Sequence, residues 1–222
     1  MNKGVLTVVS GFSGSGKGTI MKALLKKYDN YALSISATTR SPREGERNGR
    51  EYFFKTKEEF QRLIEEDQLI EYAQYVENYY GTPREYVERC LDDGKDVILE
   101  IEVQGARKVK EKIPEAVLIF VTPPSAEELR ARLVGRGTES MEVIESRLSR
   151  ANQEAVVMPD YDYLLVNDDL EQCVEAMHGI IQAERCKMRR NETFQRKIKE
   201  ELKEFLKGEE VCFIHHIQSL SM

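Results

Sequence analysis

The chain is short of cysteine, histidine, long apolar runs and net positive charge, and each shortage narrows what it can be. Its four cysteines, Cys90, Cys173, Cys186 and Cys212, are scattered and form no CxxC pair. That spacing argues against a disulfide framework or a zinc site and fits reduced thiols in the cytosol. Of only three histidines, His215 and His216 are adjacent. Neighbouring residues do not share a helix face, so these two read as structural or solvated, with no resident metal expected from them. No stretch approaches 18 apolar residues, and the first apolar run is too short for a signal-peptide core, so no membrane association is expected. The formal net charge is −6. A surface that is acidic overall does not attract nucleic acid, so any bound anion must be held by a local cluster of cations.

What is present suits a soluble globular protein: 222 residues, 41% hydrophobic and 32% charged. That length allows one domain with inserts or two small domains. Apolar runs alternate with helical patterns. The runs are Val5–Val9, Val97–Leu99 continuing toward Val103, Ala116–Val121 and Tyr163–Val166. Continuous apolar strands of this kind predict a parallel sheet buried between helices, an α/β fold in three layers. Capping boxes at Thr56–Glu59, Thr82–Glu85 and Ser125–Glu128 mark three helix starts. Gly94 marks the end of the helix that begins near Pro83.

The rhythm breaks twice. Residues 36–90 open with a polar, arginine-rich stretch and an aromatic run, Tyr52-Phe53-Phe54. They read as an insert of short strands and one helix. Residues 126–156 are dense in arginine around Gly135 and Gly137, as suits a lid. The core then comprises 1–35, 91–125 and 157–186. The tail, 187–222, places Phe194, Ile198, Leu202, Phe205 and Leu206 on one helical face. That stripe predicts an amphipathic helix docked on the body, ending near Gly208.

The segment Gly11–Thr19, GFSGSGKGT, follows the first strand and opens the first helix. Glycines let successive N–H groups turn toward an anion, and the helix start adds unpaired donors and a positive dipole end. Lys17 supplies a point charge for the outer phosphates of a nucleotide. The hydroxyl that usually follows the lysine arrives one residue late: Gly18 comes first, then Thr19. A second cluster, Ser36 to Gly45, carries Arg40 and Arg43, a fork suited to a phosphate dianion, with Tyr52 and Tyr80 as further donors. Glu100 and Glu102 alternate along the end of a buried run, where ligands of open α/β sheets bind. Glu100 also suits structural pairing with neighbouring arginines. Arg132 and Arg136 stand four apart, and Arg130 and Arg147 extend the same basic region.

Taken in order, the motifs resemble guanylate kinase of the bacterial type. They are GFSGSGKGT, SATTRSPREGERNGREYFF, IEYAQYVENYYGT, ILEIEVQGA, PPSAEELRARLVGRGTE, RLSRANQE and YLLVNDD. The resemblance covers about Val5 to Arg185. It implies a P-loop kinase fold with a mobile lid, in which 36–90 bind GMP. The reaction it implies is ATP + GMP ⇌ ADP + GDP, with dGMP as a further acceptor and Mg²⁺ accompanying ATP. The donor phosphates would lie on Gly11, Ser13, Gly14, Ser15, Gly16, Lys17, Gly18 and Thr19. Arg132, Arg136 and Arg147 would reach the transferring phosphoryl group, and Asn167 would lie near the adenine. Arg40, Arg43, Tyr52 and Tyr80 would hold the GMP phosphate; Ser36, Glu71, Thr82 and Glu102 would read guanine. Lys17, Arg40, Arg136 and Arg147 would be the catalytic set. No direct protein ligand to the metal is implied, with Thr19 and Glu100 at most beyond its bound waters. Two other readings stay open: a different nucleoside monophosphate kinase, and a guanylate-kinase-like binding module without catalysis.

Overall fold

The computed structural model describes residues 3–75, 77–135 and 140–219, with side chains described as far as Leu206 and Tyr75 excepted. The elements in chain order are β1 (Leu6–Gly11), α1 (Lys17–Lys27), β2 (Tyr31–Leu33), β3 (Ala37–Thr38), β4 (Phe53–Phe54), α2 (Lys57–Glu65), β5 (Leu69–Tyr75) and β6 (Asn78–Pro83). There follow α3 (Arg84–Asp92), β7 (Asp96–Glu100), α4 (Val103–Lys112), β8 (Val117–Thr122), α5 (Ala126–Gly135), α6 (Met141–Ala155), β9 (Tyr163–Val166), α7 (Leu170–Arg185) and α8 (Glu192–Ser219).

A five-stranded parallel sheet has the order β2-β7-β1-β8-β9. Side chains alternate across it with the two-residue period of a strand. Val5 and Val9 pack with α1 and α7 through Ile20, Leu24, Val174, Met177 and Ile181. Leu6 and Val8 face the other way, toward Val87 and Leu91 of α3 and Ala106 and Val109 of α4. The sheet is thus covered by helices on both faces, the three-layer α/β arrangement expected from its apolar runs. Only β9 departs: it is an edge strand in which Leu165 alone is buried.

The chain turns to opposite sides of β1 in forming β7 and β8. The crevice at the carboxyl ends of these strands is the place where open α/β sheets bind ligands. A second, mixed sheet, β4-β3-β6-β5, stands beside that end. Its own small core is Ala37, Phe60 and Leu69. A third cluster packs α5 and α6 against Phe12 and Phe120.

Local signals formed as their chemistry requires. Thr56 and Glu59 make the reciprocal capping box that starts α2. At the end of α3, the Lys95 N–H donates to the Cys90 carbonyl and the Gly94 N–H to that of Leu91, which closes the helix at Gly94. Thr82 is a correction: its hydroxyl is used elsewhere, and Pro83 occupies the cap of α3 with no side-chain cap bond. The run beyond Leu99 also differs from expectation. β7 ends at Glu100, and α4 starts at Val103 with Glu102 as its cap residue, so the two glutamates do not share a strand.

Asp96 anchors the opposite end of the sheet. It is fully buried and accepts from the Val5 N–H at 2.8 Å and from Arg185 Nε at 2.8 Å. Arg185 in turn donates to the Gly94 carbonyl at 2.6 Å. The tail corrects the docking expectation: α8 continues past Gly208, and Phe194, Leu202, Phe205 and Leu206 are exposed. The side chains beyond Leu206, those of Cys212, His215 and His216 among them, lie outside the described residues. Among the described residues, no helix is long and apolar enough to cross a membrane, no group of acidic, histidine and cysteine side chains is placed to hold a metal, and Cys90, Cys173 and Cys186 are free thiols.

Candidate active site

The loop between β1 and α1 is a backbone cradle. Gly14 and Gly16 adopt φ of 94° and 91°, the left-handed region. An L side chain at Gly16 would be doubly penalised, since a Cβ there would fall 2.3 Å from Asn167 Nδ2. That amide donates to the Ser15 carbonyl at 2.8 Å, so Asn167 holds the loop from beneath. Asn167 is buried. Lys17 Nζ donates back to the carbonyls of Gly11 (2.6 Å) and Phe12 (3.1 Å), which sets its ammonium across the loop. Ser15 Oγ is buried with no hydrogen-bond partner. The Thr19 side chain is exposed, one residue beyond Gly18.

Two arginines reach this loop from other elements. Arg147 of α6 donates to Ser13 Oγ at 2.6 Å. Arg132 of α5 donates to the Asn167 carbonyl at 2.9 Å and pairs with Glu128 at 2.7 Å. Arg130 is exposed on the same helix. Arg136 and Gly137 lie outside the described residues.

The second sheet assembles the other cluster. Arg40 follows β3, Tyr52 precedes β4 and Tyr80 lies in β6; pairing of β3 with β6 and of β3 with β4 brings them together. The Arg40 guanidinium sits 5.3 Å from the Tyr52 ring centroid and 5.8 Å from that of Phe54, and the Tyr52 and Tyr80 rings meet edge to face at 6.1 Å. Arg40 Nη2 donates to both carboxylate oxygens of Glu46, at 2.9 and 3.0 Å. The same carboxylate accepts the Arg43 backbone N–H at 2.7 Å. Hydrogen bonding from Arg40, then from the Arg43 N–H, holds the Glu46 carboxyl below its ordinary range. The Arg43 side chain is exposed.

Glu71 lies on β5 and is buried. Thr82 Oγ1 donates to its Oε1 at 2.8 Å. Its Oε2 faces Gly105 near the start of α4, where even a methyl group would come within 3.0 Å. Burial pushes the Glu71 carboxyl up, opposed by the Thr82 hydrogen bond and by the charges of Lys108 and Lys112. The approach to the α4 N-terminus favours the ionised form there. Ser36 is half-buried beside β3. Glu102, at the start of α4, accepts from Arg150 Nη2 at 2.6 Å.

Glu100 ends β7 beside the glycine-rich loop; its Oε1 lies 4.0 Å from the position of a Cβ on Gly18. Desolvation of its carboxyl pushes the pKa up, opposed by the charges of Lys17 and Lys22. The structure therefore gathers Ser13, Lys17, Arg147, Asn167 and Glu100 at one mouth of the crevice. Arg40, Tyr52, Tyr80, Glu71 and Thr82 gather at the second sheet, and Glu102 stands at the start of α4, the helix that Glu71 approaches at Gly105.

The family model for guanylate kinase matches residues 3–184. The chain belongs to the guanylate kinase family. It is accordingly an enzyme of the kinase class, a nucleotide-binding transferase. It is 53% identical over 199 residues to the guanylate kinase of Caldanaerobacter subterraneus subsp. tengcongensis, covering 90% of this chain and 97% of that one. It is 54% identical over 182 residues to the guanylate kinase of Lactococcus lactis subsp. lactis, covering 82% and 89%. Among solved structures, the guanylate kinase of Anaplasma phagocytophilum superposes with a TM-score of 0.68 at 37% identity, covering 85% of this chain and 90% of that one.

Three residues of the site were not singled out by sequence reasoning. Glu46 had a signal, a carboxylate three residues after Arg43 and six after Arg40. Arg150 and Glu154 are an i,i+4 pair on α6, paired at 3.0 Å, and that spacing is legible in a helix. Nothing in the spacing of Arg150 and Glu102 announces their contact, because it joins residues 48 apart in the chain.

Proposed function

We propose that the chain transfers the γ-phosphoryl group of ATP to GMP, giving ADP and GDP, with dGMP as a second acceptor. The observation that carries the choice of acceptor is the buried Glu71 carboxylate, fixed by Thr82 at 2.8 Å. Guanine presents N–H donors at N1 and N2, which a carboxylate accepts together. Adenine presents a lone pair at N1, which a carboxylate repels. A polar site of this kind rejects an analogue that cannot pair by about 10⁴–10⁵. Glu102 and Ser36 complete the base contacts in this reading.

The Arg40–Tyr52–Tyr80 cluster, joined by Arg43, receives the acceptor phosphate. Its guanidinium is pre-oriented by Glu46, and a planar fork suits phosphate oxygens. Residues 36–90 form the acceptor unit and 126–156 the lid, with 1–35, 91–125 and 157–186 as the core and 187–222 as the tail.

The donor triphosphate lies along the Gly11–Thr19 cradle, with Lys17 swinging from its loop carbonyls to the outer phosphates. Arg132, Arg136 and Arg147 supply cations to the oxygens of the transferring group. Asn167 supports the loop that carries the phosphates and lies near the adenine. Transfer is in line and without a covalent intermediate, so catalysis is positioning and charge stabilisation. Closure of lid and insert excludes water, which would otherwise hydrolyse ATP.

The donor set fits a magnesium ion carried in on ATP. No residue here would ligate the ion directly; phosphates and water would hold it, with the oxygens of Glu100, near the Lys17 charge, and of Thr19 reaching at most its bound waters. Bound there, the ion would neutralise charge on the β- and γ-phosphates. The test of the base reading is Glu71→Gln: it raises the KM for GMP by about 10²-fold or more while leaving the KM for ATP within about threefold. Equal losses on both substrates would contradict it.

A further inference from the structure

Helix α6 carries Arg147, Arg150 and Glu154 on one face, at spacings of three and four residues. Arg147 reaches Ser13 in the phosphate loop at 2.6 Å. Arg150 reaches Glu102 Oε2, at the start of α4, at 2.6 Å, and Glu154 Oε1 at 3.0 Å. One helix therefore touches the donor loop and, a turn further on, the acceptor side.

The two carboxylates that share Arg150 differ. The Glu154 side chain is only 8% exposed, whereas that of Glu102 is 69% exposed. Burial pushes the Glu154 carboxyl up, opposed chiefly by Arg150. A buried carboxylate is costly to leave without its cation, so Glu154 fixes the guanidinium in place. The rigid fork of arginine then spans both partners. Arg150 engages one oxygen of Glu102 and so sets the direction of that carboxylate.

We propose that Arg150 is a positioning residue, which orients Glu102 for the acceptor base from the helix that also carries the Arg147 contact on the phosphate loop. The proposal rests on the reading of Glu102 as a base ligand. Arg150 itself touches no reacting atom. An exposed ion pair alone contributes little. Here the buried third member has already ordered the arginine, so less freedom is lost when Glu102 engages the base.

The test is steady-state kinetics of R150M, R150K, E102Q and the double variant R150M/E102Q, varying GMP and ATP separately. R150M raises the KM for GMP roughly three- to tenfold and leaves the KM for ATP within about twofold. R150K, which keeps the charge beside Glu154 but loses the fork, falls between R150M and the parent. R150M/E102Q is no worse than E102Q alone, because the two act in one chain. If R150M does not fold, R150K carries the test, and a parental KM for GMP in it overturns the proposal. So do equal effects of R150M on both substrates, or losses in the double variant that simply add. An E102Q variant with a normal KM for GMP removes the base reading of Glu102 itself. A raised KM in E102Q with none in R150M removes only the role of Arg150.

Discussion

Thr82 Oγ1 donates to Glu71 Oε1 at 2.8 Å across the antiparallel pair β5 and β6, inside the protein. The hydroxyl that sequence pattern assigns to a helix cap is therefore committed to a carboxylate. It leaves Glu71 as an oriented, buried acceptor beside the start of α4.

That relationship predicts a pH dependence with a definite sign. Burial raises the Glu71 pKa above the ordinary 4.5. Protonation removes the charge that accepts the guanine N–H groups, so the KM for GMP rises as pH falls through this raised value. The rise begins at higher pH than a solvated glutamate would give. Stability moves the other way: a raised folded pKa contributes stability that is present below 4.5 and lost as pH rises through the folded value. Glu71→Gln flattens this limb of the KM profile; an unchanged profile in that variant would assign the titration to another group.

Lys17→Ala removes the point charge that bridges the Gly11 and Phe12 carbonyls. Turnover falls by about 10³-fold, the scale for losing a preorganised cation at a transferring phosphoryl group. Tm stays within about 3 °C, since no core contact is lost. Near-normal turnover would remove Lys17 from the reaction.

Arg40→Lys keeps the charge and loses the fork that pairs with Glu46. The KM for GMP rises about 10–100-fold, the scale of a charge-assisted hydrogen bond. Glu46→Gln weakens the support without removing the guanidinium and costs about tenfold. ATP hydrolysis without acceptor separates this from damage to the donor loop: both variants retain it at the parental rate.

Asp96→Ala leaves Arg185 without its buried partner and frees the N-terminal end of β1 from its side-chain tether. It destabilises by about 3–5 kcal/mol, the scale for breaking a buried ion pair. Thermal unfolding then falls by roughly 10 °C. A smaller change would mean that water replaces the lost oxygens.

The parallel sheet was legible because Val5–Val9 and Ala116–Val121 are apolar on both faces, a pattern that requires cover on both sides. The phosphate loop was legible because glycine, lysine and flanking elements are local in the chain. Other features were not local. Glu102 became a helix cap residue because only two residues separate the end of β7 from the start of α4, and apolar periodicity cannot separate a strand end from a helix start over so few residues. The support of the loop by Asn167 joins residues 152 apart. The tail stripe obeyed helix periodicity, yet periodicity specifies a face and not what covers it: α8 forms and leaves Phe194 and Phe205 exposed.

The most direct measurement is ADP release with ATP and magnesium across GMP, dGMP, AMP, UMP and CMP in one coupled assay. The account predicts rapid release with GMP, release with dGMP, and rates lower by about 10⁴-fold or more in kcat/KM with AMP. Comparable rates with AMP, or no acceptor-dependent release with GMP, would contradict it.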